Sequence, residues 1–405
     1  AQNDDYYSED SFVSLELNEG LYFLGVTSSG NSAYTPGFEN SGFGGTSQGP
    51  YELRIQFVPA DEPANHLIDV TGTVIDGNAN GVPGGEFNFW FIAQELDNTH
   101  FVDKLATGNR EGSLEQPFDL IGDAFDAAEP GDVVRIVTNG GFDGDDDTYA
   151  DNFAYEIGQG NLPGQSLADG STMAVPKGVA VQVDAGVILK LSNARIGVGS
   201  STLSVDRSGG TLQILGTPDR TVYLTSIFDE TVGLDSQSAP RNPIPGDWGG
   251  VAYRNDLDNA EERFNLEDQG IFVNYISHAE FRYGGGNVSV DSTRQIVTPV
   301  HLTEARPTII NNYIRSSADA AISADPDSFE ETNFLSPRYQ RNELFSSDYS
   351  RVGPEIHGNL ILNNSINGMF VRIATPAGNE LKSLTVPGRL DDTDVVHLIS
   401  ENLKI

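Results

Sequence analysis

The chain has 405 residues, 38% of them hydrophobic, and it contains no cysteine, which excludes disulfides and thiolate metal sites. Its 59 acidic residues against 23 basic ones give a formal net charge of −36, which disfavours nucleic acid and anionic membrane surfaces as partners. No apolar run reaches the length of a membrane span, so we predict no membrane insertion. Two interpretations of the charge stay open: a solvated acidic surface suited to salty surroundings, or carboxylates clustered to bind divalent cations.

Residues 1–59 alternate between apolar and polar side chains in three short stretches (12–17, 21–26 and 51–57) separated by turn residues. This pattern predicts a small N-terminal β-sandwich-like domain. The segments 5–7, 17–22 and 49–53 resemble the second half of a bacterial pre-peptidase C-terminal (PPC-like) domain, which is a small β-sandwich of secreted proteins. The first strands of such a domain are missing, so we expect the chain to be a fragment of a longer protein.

Residues 60–100 are predicted to form a linker and a β-hairpin with strands at 67–75 and 87–92. Oxygen-bearing residues alternate along the loop between the strands, as in the first half of an EF-hand-type calcium loop. The candidate ligands are Asp76, Asn78, Asn80 and the backbone carbonyl of Val82. An ordinary Asn/Gly hairpin turn explains the same residues equally well.

Residues 101–405 are predicted to form a right-handed parallel β-helix with an N-terminal helical cap. Pro117 suits the first position of a helix whose apolar face carries Phe118, Ile121, Phe125 and Ala128. This helix, followed by the strand at 133–136, resembles the N-terminal cap of pectate-lyase-like β-helices. Such a cap covers backbone groups and apolar side chains that an open solenoid end would expose.

From residue 172 onward, short apolar strands alternate with Gly, Asn and Asp turns. The stretches 307–318 and 354–365 repeat each other, with Asn312 aligned on Asn359, and such self-similarity is typical of a solenoid. Asparagines at these corners tolerate left-handed backbone and can stack into ladders. The polar stretch 325–352 between the two copies is interpreted as a surface insertion.

A second calcium loop is predicted at residues 143–151, where carboxylates recur at every second position. The candidate ligands are Asp143, Asp145, Asp147, Asp151 and the backbone carbonyl of Tyr149. The sixth position is Thr148 rather than glycine, and no Glu stands at the twelfth position. The alternative is a solvated acidic turn. Ca2+ is the one cofactor that these patterns predict.

Catalysis would require more than a calcium loop. Pectate and related lyases use an Arg or Lys base beside calcium-binding carboxylates, and the candidates here are Arg282, Arg315, Arg372 and Lys382, with Asp391, Asp392 and Asp394. Exposed strand residues are the simpler interpretation of each. The ordered motif series of galacturonan hydrolases is absent. Trp90, Trp248 and Tyr283 could stack on a sugar, but core or turn packing is the simpler interpretation.

We therefore expect an all-β protein that acts as a non-enzymatic structural or adhesive module, stabilised by calcium. The pattern of residues 381–397 resembles β-helix segments of very large secreted bacterial surface proteins, which implies an extracellular or cell-surface location. The alternatives are a polysaccharide lyase or hydrolase and a carbohydrate-binding spacer without turnover. The partners that fit these interpretations are a polysaccharide or other copies of the chain, associated along the solenoid axis.

Overall fold

The computed structural model describes residues 73–74, 91–138, 152–160, 164–236, 240–264, 267, 272–291, 293–330, 353–373, 382–390, 393–400 and 402–403. The predicted sandwich of residues 1–59 and both predicted calcium loops lie outside these residues. The sandwich, the domain boundaries and the calcium sites therefore stay predictions.

Most of the described strands belong to three parallel sheets, here called A, B and C, with the strands numbered in chain order. Sheet A contains β1 (Thr99–Val102), β2 (Val133–Ile136), β5 (Ala180–Asp184), β8 (Thr211–Leu215), β11 (Tyr275–Ser277), β16 (Thr308–Ile310) and β19 (Glu355–His357). Sheet B contains β3 (Tyr155–Gly158), β6 (Ile188–Ser192), β9 (Val222–Ser226), β12 (Ala279–Arg282), β17 (Tyr313–Arg315) and β20 (Leu360–Leu362). Sheet C contains β4 (Met173–Ala174), β7 (Ile196–Val198), β10 (Val251–Arg254), β15 (Val300–Thr303), β18 (Ala320–Ala324), β21 (Ile366–Val371) and β22 (His397–Leu398).

From β2 to β21, successive strands visit sheet A, then sheet B, then sheet C, and the next strand returns to sheet A beside the previous one; β1 and β22 each add a single strand, to sheet A and sheet C respectively. We call one such circuit a coil. The one interruption among the described strands is an antiparallel hairpin of β13 (Asn287–Val290) and β14 (Thr293–Ile296), which lies between β12 and β15 along the chain. The chain is thus all-β with parallel sheets, an arrangement compatible with a β-helix-like solenoid.

The core lies between the three sheets because alternate side chains of every strand point inward. Ile214, Ile276 and Ile309 pair in register along sheet A, and all three are fully buried in one hydrophobic cluster. Residues of sheets B and C, such as Leu189 and Val251, belong to the same cluster. The stacking of like residues in register is the physical basis of the repeat seen in the sequence.

The predicted asparagine ladder is confirmed at the corner that follows sheet A. Two adjacent asparagines share its features: one adopts the left-handed backbone, and the other forms the side-chain hydrogen bonds between coils. Asn311, with φ of 55°, adopts the left-handed backbone. Its neighbour Asn312 forms the ladder: the Asn312 Nδ2 donates to Oδ1 of Asn359 at 3.0 Å and to the carbonyl of Ile276 at 3.0 Å. Its Oδ1 accepts a hydrogen bond from the backbone N–H of Ala279 at 2.9 Å. One side chain therefore ties three successive coils together.

Two α-helices occur among the described residues, α1 (Ile121–Ala127) and α2 (Asp256–Ala260), and neither meets the length and apolarity that a membrane span requires. The predicted helix start at Pro117 is wrong. Phe118 instead bridges to Val102 as extended chain, which extends the pairing of β1 and leaves the helix to begin at Ile121. Ile121 and Ala124 are buried against the core of the first coil, as the predicted apolar face requires.

The prediction of a surface insertion at 325–352 is wrong for residues 325–330, which are buried or partly buried. A 3₁₀ turn at Pro326–Phe329 buries Ser328 fully and places Phe329 in the main core cluster. The Asp325 side chain stabilises this turn by accepting a hydrogen bond from the Ser328 N–H at 3.2 Å. The polar side chains of Asp325 and Ser328 thus stabilise a buried turn. Residues 331–352 lie outside the described part of the chain.

Candidate functional site

The candidate site is the outer surface of sheet B, called here the sheet B face. Leu189, Leu224 and Phe281 point into the core, so the residues on either side of each of them point outward. Most of these outward side chains are polar or charged. The sheet B face consists of Glu156, Lys190, Tyr223, Thr225, Glu280, Arg282, Tyr313 and Arg315.

Residues 227–236, called here the strap, fold over the first coils of the sheet B face. Leu234 pairs with the backbone beside Phe153: its N–H donates to the carbonyl of Asn152 at 2.7 Å, and its carbonyl accepts from the N–H of Ala154 at 2.6 Å. Gly233 has a φ of 63°, and a Cβ there would lie 2.8 Å from Ile188. A residue without a side chain is therefore needed where the strap turns onto the sheet.

Two buried polar contacts hold the end of the strap. The Lys190 Nζ is fully buried and donates to Asp235 Oδ2 at 3.1 Å and to the carbonyl of Gly233 at 3.2 Å. The Glu156 carboxylate accepts from the N–H and the hydroxyl of Ser236 at 2.6 and 2.8 Å. These contacts replace the water that each charged group would otherwise need.

An ion cluster continues the sheet B face beyond the strap end. Glu280 Oε1 accepts hydrogen bonds from Nε of both Arg282 (2.7 Å) and Arg315 (2.6 Å). Arg282 Nη1 also donates to Asp229 Oδ2 at 3.2 Å and to Thr231 Oγ1 at 3.0 Å. Arg282 is therefore bound to the strap and to its own strand at once.

The electrostatics of the cluster oppose a catalytic role for Arg282. Burial favours loss of its proton, but the hydrogen bonds and charges of Glu280 and Asp229 outweigh burial and raise the pKa of Arg282 above its ordinary value. Burial also raises the pKa of Tyr223, and the charge of Glu280 adds to this effect. A general base needs a pKa near the working pH, so neither group is suited to abstract a proton.

The remaining surface of the sheet B face combines aromatic rings with guanidinium groups. The Arg282 guanidinium lies 5.0 Å from the ring centroid of Tyr223, and that of Arg315 lies 5.3 Å from that of Tyr313. Arg315 keeps 29% of its side chain exposed. This partly open surface is able to contact a ligand, whereas the buried cluster beneath it stabilises the strap.

The structure brings together two of the four basic residues named from the sequence. Arg282 and Arg315 pair in register and share Glu280. Arg372 lies at the end of a sheet C strand, bound to Asp319, and Lys382 Nζ donates to Asp325 Oδ2 at 2.8 Å.

The carboxylates named with these bases do not form a common site. Asp391 and Asp392 lie outside the described residues, and Asp394 accepts a hydrogen bond from the N–H of Gly358 at 2.8 Å.

The predicted core packing of Trp248 is confirmed. The ring is fully buried, stacks on Phe281 with centroids 6.4 Å apart, and donates its N–H to the carbonyl of Arg282 at 2.7 Å. It is therefore not available to stack on a sugar. Tyr283 occupies a left-handed corner with φ of 62°, and Trp90 lies outside the described residues.

Both predicted calcium loops fall outside the described residues: Asp143, Asp145, Asp147, Tyr149 and Asp151 in one, and Asp76, Asn78, Asn80 and Val82 in the other. Within the described part of the chain, no group of three or more His, Asp or Glu side chains is placed to hold a metal ion.

Sequence reasoning missed the acidic partners of the site, Glu280, Asp229 and Asp235. A signal for the first was present, because Glu280 and Arg282 flank the apolar Phe281 and must share a face of the strand. Comparison of the chain with protein-family models, curated proteins and solved structures finds no match.

Proposed function

We propose that the chain is a non-enzymatic structural module of a larger secreted or cell-surface bacterial protein, built as a right-handed parallel β-helix of the pectate-lyase-like type. In this proposal α1 caps the first coil, a PPC-like sandwich precedes the β-helix, and calcium stabilises the loops. The observation that carries the proposal is the pairing of every basic candidate with a carboxylate of the chain itself.

The pairing argues against a lyase because the base must be free and partly deprotonated. Arg282 is 7% exposed, its Nε and Nη1 are bound to carboxylates, and its pKa is raised. The ion pairs instead link coils: Glu280 of β12 binds Arg315 of β17, and Arg372 after β21 binds Asp319 before β18. Contacts between coils stabilise a solenoid, in which each repeat packs only on its neighbours.

The test of this proposal is turnover. The purified, folded chain is expected to produce no unsaturated uronides and no new reducing ends from polygalacturonate or alginate, with or without calcium. Product formation that Arg282→Met abolishes, while the far-ultraviolet circular dichroism stays unchanged, would establish the lyase alternative. Retention of the chain on immobilised polysaccharide without turnover would instead establish the carbohydrate-binding spacer. Concentration-dependent filaments seen by light scattering would support self-association along the solenoid axis.

Calcium removal is expected to lower the thermal stability. EDTA should lower the melting temperature of the chain at low salt, because carboxylates gathered for a divalent cation repel one another without it. Asp145→Ala combined with Asp147→Ala should remove most of the EDTA effect, measured by differential scanning calorimetry. The matched control is Asp123→Ala with Asp126→Ala, two acidic residues of α1, which should leave the EDTA effect intact. An EDTA effect that keeps its full size in the loop variant would place the calcium dependence outside residues 143–151, with the loop at residues 76–82 as the next candidate.

A further inference from the structure

Arg195 occupies an unusual position on the outer surface of sheet C. It lies directly before β7, and its backbone carbonyl accepts hydrogen bonds from the N–H of Met173 at 3.3 Å and the hydroxyl of Thr172 at 2.9 Å. Its guanidinium lies flat over Gly197, where a Cβ would meet the guanidinium carbon at 3.3 Å and both terminal nitrogens at 3.4 and 3.5 Å. Gly197 therefore forms the floor beneath the charged group.

The side chain of Arg195 is about nine-tenths buried, and its guanidinium makes no hydrogen bond to a described residue. Only 9% of the side chain is exposed, and its nearest carboxylate oxygen, Oδ2 of Asp291, is 3.9 Å away, too far for a hydrogen bond. That carboxylate already accepts a hydrogen bond from the Ser201 hydroxyl. Arg282, which is buried to a similar degree on the sheet B face, donates from Nε and Nη1 to two carboxylates and a hydroxyl.

Two other arginines act on Arg195 electrostatically. Burial, and to a lesser extent the charges of Arg254 and Arg207, lower the pKa of Arg195 to about 10, against the opposing effect of Asp291. Arg254 is held in place by two hydrogen bonds to Asp256, at 3.1 and 2.9 Å. Farther along sheet C the charges are mixed: burial and the charges of nearby basic residues lower the pKa of His301 to about 3, whereas burial and the charges of Asp325 and Asp256 raise the pKa of Glu304 to about 7.

A guanidinium that is largely buried and makes no hydrogen bond within the described residues loses part of its hydration without compensation. An anion with two or more oxygens would satisfy the donors through the bidentate geometry that arginine provides. We propose that Arg195, above Gly197 and beside Arg254, forms a binding site for a small oxyanion, either a free inorganic ion or the single carboxylate or sulfate group of a ligand. A polyanion does not fit, because the chain carries a net charge of −36.

The experiment titrates the whole chain with sodium sulfate by isothermal titration calorimetry, with sodium chloride at matched ionic strength as the reference. Saturable heat is expected. Arg195→Met keeps the aliphatic stem and should weaken sulfate binding more than about tenfold, the factor expected for loss of a charge-assisted bidentate contact. Arg195→Lys should weaken binding also, because an ammonium lacks the planar fork. The matched control is Arg135→Met, which removes a sheet A arginine paired with Asp184 and should leave the affinity unchanged.

Two further variants separate an oxyanion site from an ordinary ion pair. Asp291→Asn should raise the sulfate affinity by about tenfold, because it removes the negative charge nearest to the guanidinium. Without sulfate, Arg195→Met should unfold at the same temperature as the unchanged chain or higher, because the charge it removes makes no hydrogen bond and its nearest carboxylate oxygen is 3.9 Å away. If Arg195→Met and Asp291→Asn are equally destabilising without sulfate, Arg195 and Asp291 are a structural pair and the proposal fails.

The source of the oxyanion is decided by a second titration, with glucuronate. Binding of sulfate alone identifies a free inorganic ion, and tighter binding of glucuronate identifies the acidic group of a sugar-like ligand. Both results support the site when Arg195→Met abolishes them. Absence of saturable heat with either compound overturns the proposal, and circular dichroism of every variant shows whether it is folded.

Discussion

Replacing Lys190 with methionine is expected to lower the free energy of unfolding by about 3–5 kcal/mol, the cost of leaving one buried charge without its partner. Both members of the Lys190–Asp235 pair are buried, with side-chain exposures of 0% and 2%. Methionine retains most of the aliphatic stem of lysine, so the loss reflects mainly the charge rather than a cavity. The measurement is the midpoint and slope of urea-induced unfolding.

The same substitution at Lys177 provides the matched control. Lys177 pairs with Asp206 at 2.8 Å, but its side chain is 55% exposed, so Lys177→Met should cost less than about 1 kcal/mol. The double variant Lys190→Met with Asp235→Leu should recover most of the loss, because two apolar residues leave no buried charge. Limited proteolysis should cut within residues 227–236 faster in Lys190→Met alone. Equal stability of the two methionine variants would show that the pair does not hold the strap.

Replacing Asn312 with alanine is expected to lower the free energy of unfolding by about 2–4 kcal/mol, because two buried backbone groups lose a partner at about 1–3 kcal/mol each. These groups are the N–H of Ala279 and the carbonyl of Ile276, on the preceding coil. Asn312 is 2% exposed, so water cannot replace the lost amide. Urea unfolding monitored by tryptophan fluorescence measures the change.

A second position in the same ladder tests the explanation. Asn359 is partly exposed, and its Nδ2 donates to the carbonyl of Ile309 at 2.7 Å. Asn359→Ala should therefore cost less than Asn312→Ala, since water can reach part of the gap. Asn312→Asp should be about as harmful as the alanine variant, because a carboxylate cannot donate to Ile276. If all three substitutions lower the free energy of unfolding only slightly, packing rather than the amide hydrogen bonds stabilises this corner.

The parallel sheets and the asparagine ladder were predictable because they depend on local patterns. Alternating apolar residues mark each strand, and the alignment of 307–318 with 354–365 places Asn312 on Asn359 before any coordinate is known. The error at Pro117 arose because a helical pattern of apolar residues does not reveal that Phe118 pairs with Val102 as extended chain. Tertiary pairing overrides local preference at such a boundary.

The partners within the candidate site could not be predicted, because they lie far apart along the chain. Glu156 binds Ser236, 80 residues away, and Lys190 binds Asp235, 45 residues away. A sequence with 59 acidic residues offers many carboxylates to each cation, and no local rule selects among them. The two calcium loops remain predictions that rest on ligand spacing alone.

Strand alternation and corner residues predict the class of the fold, since both act within a few positions of the chain. The pairing of charged groups is set by the tertiary structure. It placed Arg282 between two carboxylates and left Arg195 above Gly197 with none in hydrogen-bonding reach. The reason is physical: the energy of a charged group depends on its burial and on neighbours within a few ångströms, and in stacked coils those neighbours come from other turns of the chain.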